Sequence, residues 1–196
     1  ISVLKGLIMD AVRKANSGHP GGAMSSADFI YLLFKDYLKF DPKDPNWFDR
    51  DRFILSGGHM SMLQYSILHL VGWMKLSEIK KFRQLGSHTP GHPEVEIPGV
   101  ECTTGPLGQG FAMGVGMALA EAYLSNLISN NDKESKKLID HFTYVLATDG
   151  DLQEPVALGA AAIAGHLGLN KLVVYYDAND AQISGKVSRS DSVNYA

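Results

Sequence analysis

The sequence predicts an α/β fold built on a parallel sheet, and three stretches of its last third carry that reading. Residues 142–147 (Phe-Thr-Tyr-Val-Leu-Ala) and 172–176 (Leu-Val-Val-Tyr-Tyr) are continuous β-rich runs, the composition of strands buried on both faces. Between them an alanine-rich helical stretch runs from about Gln153 to Leu167. Strand, helix and strand at this spacing imply a right-handed crossover and therefore parallel pairing.

The elements upstream follow from periodicity and punctuation. Leu4, Leu7, Ile8, Ala11, Val12 and Ala15 recur at helical spacing, and Asn16-Ser17-Gly18 ends the run. Ser25 and Ser26 are placed to cap a second helix with Phe29, Leu32, Leu33 and Leu38 on its apolar side. Arg52-Phe53-Ile54-Leu55 reads as a short buried strand broken at Ser56-Gly57-Gly58. A helix over 60–71 follows, then a short one opening at Ser77. Residues 86–106 are dense in proline and glycine, a long loop of the kind that serves a site. Gly108 to about Leu127 is helix-like, with Ala112, Gly114, Gly116, Ala118 and Ala120 allowing close packing. Asn130-Asn131-Asp132-Lys133 reads as a polar surface loop.

Composition bounds the function classes. With 196 residues, 45% of them hydrophobic and 20% charged, the chain can bury a sizeable core. A formal net charge of −3 argues against a broad nucleic-acid surface. Cys102 is the single cysteine, which rules out an internal disulfide framework and fits a reducing, cytoplasmic setting. No signal-peptide pattern is present, and the apolar runs read as too interrupted for a membrane span. The start at Ile1 and the stop at Ser-Val-Asn-Tyr-Ala suggest a part of a longer protein.

In open parallel sheets ligands bind beyond the carboxyl ends of the strands. Two consecutive strands here end in Asp149 and Asn179, whose carboxylate and amide oxygens form a hard-donor set suited to magnesium. Gly150 follows Asp149 and lets a phosphate approach the backbone at the start of a helix. Taken alone, such a short pattern more often marks ordinary turns at strand ends. Other phosphate and metal patterns fail. The glycines from Gly105 to Gly116 contain no strict G-x-G-x-x-G, and no Gly-Lys-Ser/Thr occurs. A calcium loop opening at Asp177 would need glycine at Gln182 and glutamate at Ser188, and Thr-Pro-Gly between His88 and His92 excludes a helical zinc pair.

Six stretches, in order, carry a resemblance to the transketolases. They are Asn16–Gly21 (NSGHPG), Leu55–His59 (LSGGH), Gly86–Glu94 (GSHTPGHPE), Thr103–Gly110 (TTGPLGQG), Asp149–Glu154 (DGDLQE) and Tyr176–Asn179 (YDAN). The resemblance implies a thiamine-diphosphate-binding fold, with residues 1–196 forming most of the N-terminal pyrophosphate-binding domain. The pyrimidine-binding and C-terminal domains would lie outside this chain. It further implies transfer of a two-carbon glycolaldehyde unit from a ketose phosphate to an aldose phosphate, a step of the pentose phosphate pathway. The implied cofactors are thiamine diphosphate and Mg2+, with Ca2+ or Mn2+ as substitutes. The partners would be sugar phosphates and a second subunit, either a homodimer mate or a pyrimidine-domain chain. Neither nucleic acid nor a membrane is expected. Other ketol-transferring relatives, dihydroxyacetone synthase and deoxyxylulose phosphate synthase, stay open, as does a cofactor-holding subunit of a split enzyme.

Residue by residue, the resemblance makes Asp149 and Asn179 side-chain ligands of the metal, with Ala181 offering its carbonyl. Gly150 would contact the diphosphate, His59 would lie near it, and Gly105, Leu107 and Ile183 would line the cofactor. His19 and His92 would face the reacting carbons, and Glu154 would sit at the subunit interface in communication with the cofactor-activating glutamate. Thr148, Asp151, Pro155, Gly57 and His88 depart from the commoner family residues, Asp151 by setting an extra carboxylate beside the diphosphate. His69, His141 and His166 match no site motif and read as packing or surface groups, and Cys102 as a buried filler.

Overall fold

The computed structural model describes residues 1–129, 138–183 and 185–195. The expected loop at Asn130–Lys133 lies outside them. The chain forms two compact units, Ile1–Trp47 with Gly58–Gly105, and Phe48–Gly57 with Pro106–Ala196.

The first unit is helical. Helix α1 (Ser2–Ala15) buries Leu4, Ile8 and Ala11 and ends where Asn16 adopts a left-handed φ of 49°. Its buried face meets α4 (Ser61–Leu70), an almost wholly buried helix entered through a 3-10 turn at Gly58–Met60. The expected second helix is α3 (Ala27–Leu32), continued by a π turn over Leu33–Tyr37, and a short helix the sequence reading did not anticipate, α2 (Pro20–Ser25), precedes it. Ser26 makes no capping bond, and the buried face is Ala27, Ile30, Leu33 and Phe34 rather than Phe29 and Leu32. The helix starts where the serines put it, but the π turn over Leu33–Tyr37 breaks the 3.6-residue period on which the expected stripe was drawn. After α5 (Leu76–Ile79) the chain runs without regular structure to Gly105, as the prolines and glycines predict.

The second unit holds a parallel sheet in the order β1-β2-β3, from Arg52–Leu55, Thr143–Thr148 and Leu172–Asp177. The register pairs Leu55 with Leu146 and Thr148 with Asp177, so β2 and β3 end side by side. Helix α6 (Gln109–Ser129) packs on all three strands, and Gly114 makes this possible: a Cβ there would stand 2.5 Å from Val145 Cγ2. Contrary to the sequence reading, Gln109–Ile128 is long and apolar enough to cross a membrane by length and composition alone. Here its neighbours are the sheet and α8, and its Glu121 is buried in an ion pair with Lys171 at 2.6 Å.

The helix expected from Gln153 is α8 (Pro155–Leu167), and a single helical turn α7 (Asp149–Leu152) precedes it where the sequence reading had only a strand-end turn. Strand β3 departs further from expectation. Val173, Val174 and Tyr175 are 36–40% exposed, because β3 is the last strand of its sheet among the described residues. Its apolar composition asks for cover that these residues do not supply. Helix α8 shares the trait, exposing Val156, Leu158, Ile163 and Leu167. Beyond β3 a two-stranded antiparallel ribbon, β4 (Ala181–Gln182) and β5 (Gly185–Lys186), closes the described fold.

Candidate cofactor-binding site

In the second unit the carboxyl edge of the sheet brings Asp149 and Asn179 together. Asp149, only 5% exposed, accepts the Asn179 backbone N–H on Oδ2 at 3.0 Å and the Tyr176 hydroxyl on Oδ1. Its burial, and then the neighbouring Asp149 carboxylate, hold the Tyr176 phenol protonated to well above the usual range. Asn179 turns back on itself: its Oδ1 accepts the Ala181 N–H at 3.0 Å, and its Nδ2 donates to Asp177 at 3.1 Å.

Each Asp149 oxygen and the Asn179 amide oxygen thus accepts one hydrogen bond from these partners and retains a second lone pair. A buried carboxylate and an amide oxygen suit a hard divalent cation that keeps open positions for phosphate and water. Among the described residues no cluster of three or more His, Cys, Asp or Glu side chains forms an alternative cage. The donor chemistry fits the implied metal.

Asp151 is not the extra carboxylate at the diphosphate that the sequence suggested. It is fully buried and saturated. Its Oδ1 accepts Ser56 Oγ at 2.9 Å and the Gly108 N–H at 2.8 Å; its Oδ2 accepts the Thr148 N–H at 3.0 Å and Oγ1 at 3.1 Å. Ser56 in turn accepts the Phe111 N–H at 2.9 Å. One carboxylate therefore fastens the ends of β1 and β2 to the turn that opens α6. Thr148 belongs to the same device, since its hydroxyl and amide cap the turn that Asp149 begins. Gly108 has a φ of +79°, and a Cβ there would stand 2.7 Å from Glu154 Cβ, so this turn requires glycine. Pro155, at the first position of α8, lacks the N–H that would be unpaired there anyway.

Leu107 is half-buried and lies against Gly150, where a Cβ would come within 2.8 Å of Leu107 Cδ1. Glu154 is exposed at the entry to α8, and Ile183 is 100% exposed in the β4–β5 ribbon.

The first unit gathers the histidines. The rings of His19 and His59 meet edge to face with centroids 5.3 Å apart. His92 packs on Gly105, whose missing Cβ would be 3.3 Å from the ring Cγ. Partial burial, then the charges of Arg83 and His19, push the His92 imidazole below its ordinary pKa and favour the neutral ring. Tyr65 donates toward the carbonyls of Pro90 at 3.0 Å and His92 at 3.2 Å, which anchors the loop. A cavity of about 680 Å3 opens beside it, lined by Arg83, Gly91, His92 and Glu94 among others.

The remaining histidines are structural. His69 bonds the Met74 carbonyl at 2.8 Å, buried His141 lies 3.3 Å from Asp49, and His166 is exposed. His88, a departure from the family, leans on Glu78, which accepts its backbone N–H at 3.0 Å. Cys102 is half-buried rather than buried, its thiol pushed up to about 11. Sequence reasoning missed the buried work of Asp151 and Ser56 and the contact of Tyr176 with Asp149, although all three lie inside the quoted motifs.

An open parallel sheet with a buried carboxylate and an amide at its carboxyl edge places the chain among the α/β domains that take a ligand beyond their strand ends. The comparisons narrow the class. A family profile described as the transketolase thiamine diphosphate binding domain matches residues 1–195, and the chain belongs to that family. A transketolase from Geobacillus stearothermophilus is 50% identical over 198 residues, covering 100% of this chain and 29% of its own length. One from Staphylococcus aureus strain MW2 is 51% identical over 195 residues, covering 99% and 29%. The crystal structure of transketolase from Campylobacter jejuni superposes with a TM-score of 0.92 at 46% identity, covering 98% of this chain and 30% of that one. The chain thus spans about 29% of the length of the curated relatives it matches.

Proposed function

We propose that the chain is the pyrophosphate-binding part of a transketolase, which moves a two-carbon glycolaldehyde unit from a ketose phosphate to an aldose phosphate. The observation that carries this reading is the meeting of buried Asp149 with Asn179, whose backbone N–H it accepts, at the carboxyl edge of the sheet. Family membership supplies the thiamine-diphosphate class.

In this reading Asp149, Asn179 and the Ala181 carbonyl hold Mg2+, with Ca2+ or Mn2+ as substitutes. Gly150 and His59 take the diphosphate, and Gly105, Leu107 and Ile183 line the rest of the cofactor. When bound, thiamine diphosphate supplies the carbon nucleophile and electron sink, with the metal neutralising its diphosphate. The protein binds, orients and moves protons. His92, biased toward its neutral form, accepts a proton from a substrate hydroxyl near neutral pH and returns it. His19 hydrogen-bonds the oxygen on which negative charge develops.

Glu154, exposed at the start of α8, is assigned to a subunit interface. The apolar faces of β3, α6 and α8 support a homodimer or a pyrimidine-domain partner. The single cysteine fits a cytoplasmic location and a role in the pentose phosphate pathway. The test is calorimetric titration of the intact protein with thiamine diphosphate, with and without Mg2+, beside a ketol-transfer assay on sugar phosphates. Cofactor binding that ignores both the metal and Asp149→Ala would refute the metal assignment.

A further inference from the structure

Arg83 touches both histidine-bearing segments of the first unit, one through its side chain and the other through its backbone. Its Nη1 donates to Ser17 Oγ at 2.7 Å, two residues before His19. Its backbone N–H donates to the Thr89 carbonyl at 2.9 Å, in the loop that leads to His92. The guanidinium lies flat against that loop: a Cβ on Gly91 would stand 3.1 Å from Nε and 3.3 Å from Cζ and Nη2. Nε is buried and has no hydrogen-bond partner among the described residues, so packing rather than a bond fixes this edge of the group. Arg83 also holds a left-handed φ of 58°, a conformation that a long side chain adopts only when its surroundings impose it. The Phe82 ring, 5.5 Å from Cζ, completes the seat.

We infer that Arg83 is a positioning residue, a guanidinium brace that ties the Ser17–His19 turn to the Gly91–His92 loop and fixes where the two histidines stand. The brace rests on the proposed function for its meaning, because His19 and His92 matter as proton-moving groups only in that reading. A planar fork is needed for the task. Nη1 reaches Ser17 while the Nε–Cζ–Nη2 edge lies on the glycine, and a lysine ammonium can do only one of these. Gly91 is the matching half, since any side chain there would lift the fork.

The brace carries an electrostatic consequence. The groups facing the His92 ring are Arg83 and His19, both of which favour the neutral imidazole. Glu94 lines the same cavity, and Tyr65 binds the His92 carbonyl rather than its ring. Removing the Arg83 charge leaves His19 and partial burial to oppose protonation, so the His92 titration moves upward.

The test uses the intact protein carrying Arg83→Met, Arg83→Lys and Gly91→Ala. The pH dependence of His92 carbethoxylation by diethyl pyrocarbonate, read by peptide mass spectrometry, reports its titration midpoint without requiring turnover. Kinetics report kcat and KM, and calorimetry reports cofactor affinity. Arg83→Met is expected to raise the midpoint and to lower kcat roughly tenfold, the scale of a sub-ångström misplacement, with cofactor affinity unchanged. Arg83→Lys is expected to keep the midpoint and still lose kcat, which separates charge from shape. Gly91→Ala keeps the arginine and is expected to lower kcat in the same direction, so the idea stays testable if Arg83→Met does not fold. An unmoved midpoint in folded Arg83→Met, or full kcat in both Arg83→Lys and Gly91→Ala, would overturn the brace. Full activity of His92→Ala, beside the midpoint shift in Arg83→Met, would instead remove the catalytic role of His92 and leave the brace standing.

Discussion

The two strand exits of the second unit share one edge and are built in opposite ways. The exit of β2 is finished: Thr148, Asp149 and Asp151 are all buried, and Asp151 accepts four hydrogen bonds from the ends of β1, β2 and the α6 turn. The exit of β3 is open. Asn179 is exposed and held by bonds within its own turn, and Ile183 beyond it is bare. The difference separates two duties. At β2 the core is extended to the edge, which on the proposed function pre-aims the Asp149 carboxylate. At β3 the exit is held only by local bonds, and on the proposed function the bound cofactor supplies its remaining contacts.

Four substitutions test this contrast, in falling order of effect. Asp151→Ala strands four buried donors and should cost about 3 kcal/mol or more of unfolding free energy, read by denaturant melts. A loss within the scatter of surface mutations would show that the β2 exit is not the fastening point. Asp149→Ala should destabilise less, since only Tyr176 and the Asn179 amide lose their acceptor. It should instead weaken Mg2+-dependent cofactor binding beyond the 10- to 100-fold typical of outer-shell partners, roughly 100-fold or more by calorimetry. Saturated Asp151 should not rescue it. His92→Ala, in the first unit, should lower kcat on the order of 10²-fold with cofactor affinity intact. Lost cofactor affinity would make the loop structural. Ile183→Ala, at the open exit, should leave the melt unchanged within about 0.5 kcal/mol and weaken cofactor binding only modestly. A clear loss of stability would mean that the β3 exit is already packed.

Much of this was legible in the chain. Arg52–Leu55, Thr143–Thr148 and Leu172–Asp177 are strands because continuous apolar β-rich runs have few other uses, and the breaks at Ser56 and Asn16 fall where punctuation put them. The pairing of Asp149 with Asn179 followed from parallel topology alone. What escaped is tertiary. Asp151 looked like a spare carboxylate because its donors Gly108 and Ser56 come from 43 and 95 residues away. Strand β3 looked buried because its composition is that of a covered strand, and the described residues do not supply the cover. The short helices α2 and α7 are set by Pro20 and by the Thr148 cap, signals too brief to outweigh their glycines.

The order in which this protein gains its structure follows from the same buried carboxylate. Strand β1 leaves the second unit at Gly57, and the chain returns to it only at Pro106. The bond between Ser56 and Asp151 spans 95 residues, so the sheet cannot be locked during early synthesis. Local helices such as α1 and α4 close quickly, while the parallel β1–β2 pairing bears the loop-closure entropy of everything between them. Until Asp151 arrives, β1 waits with its ladder open and a run of apolar side chains exposed. The window of vulnerability for the nascent chain is the time taken to translate from residue 56 to residue 151, and it ends when one aspartate is captured.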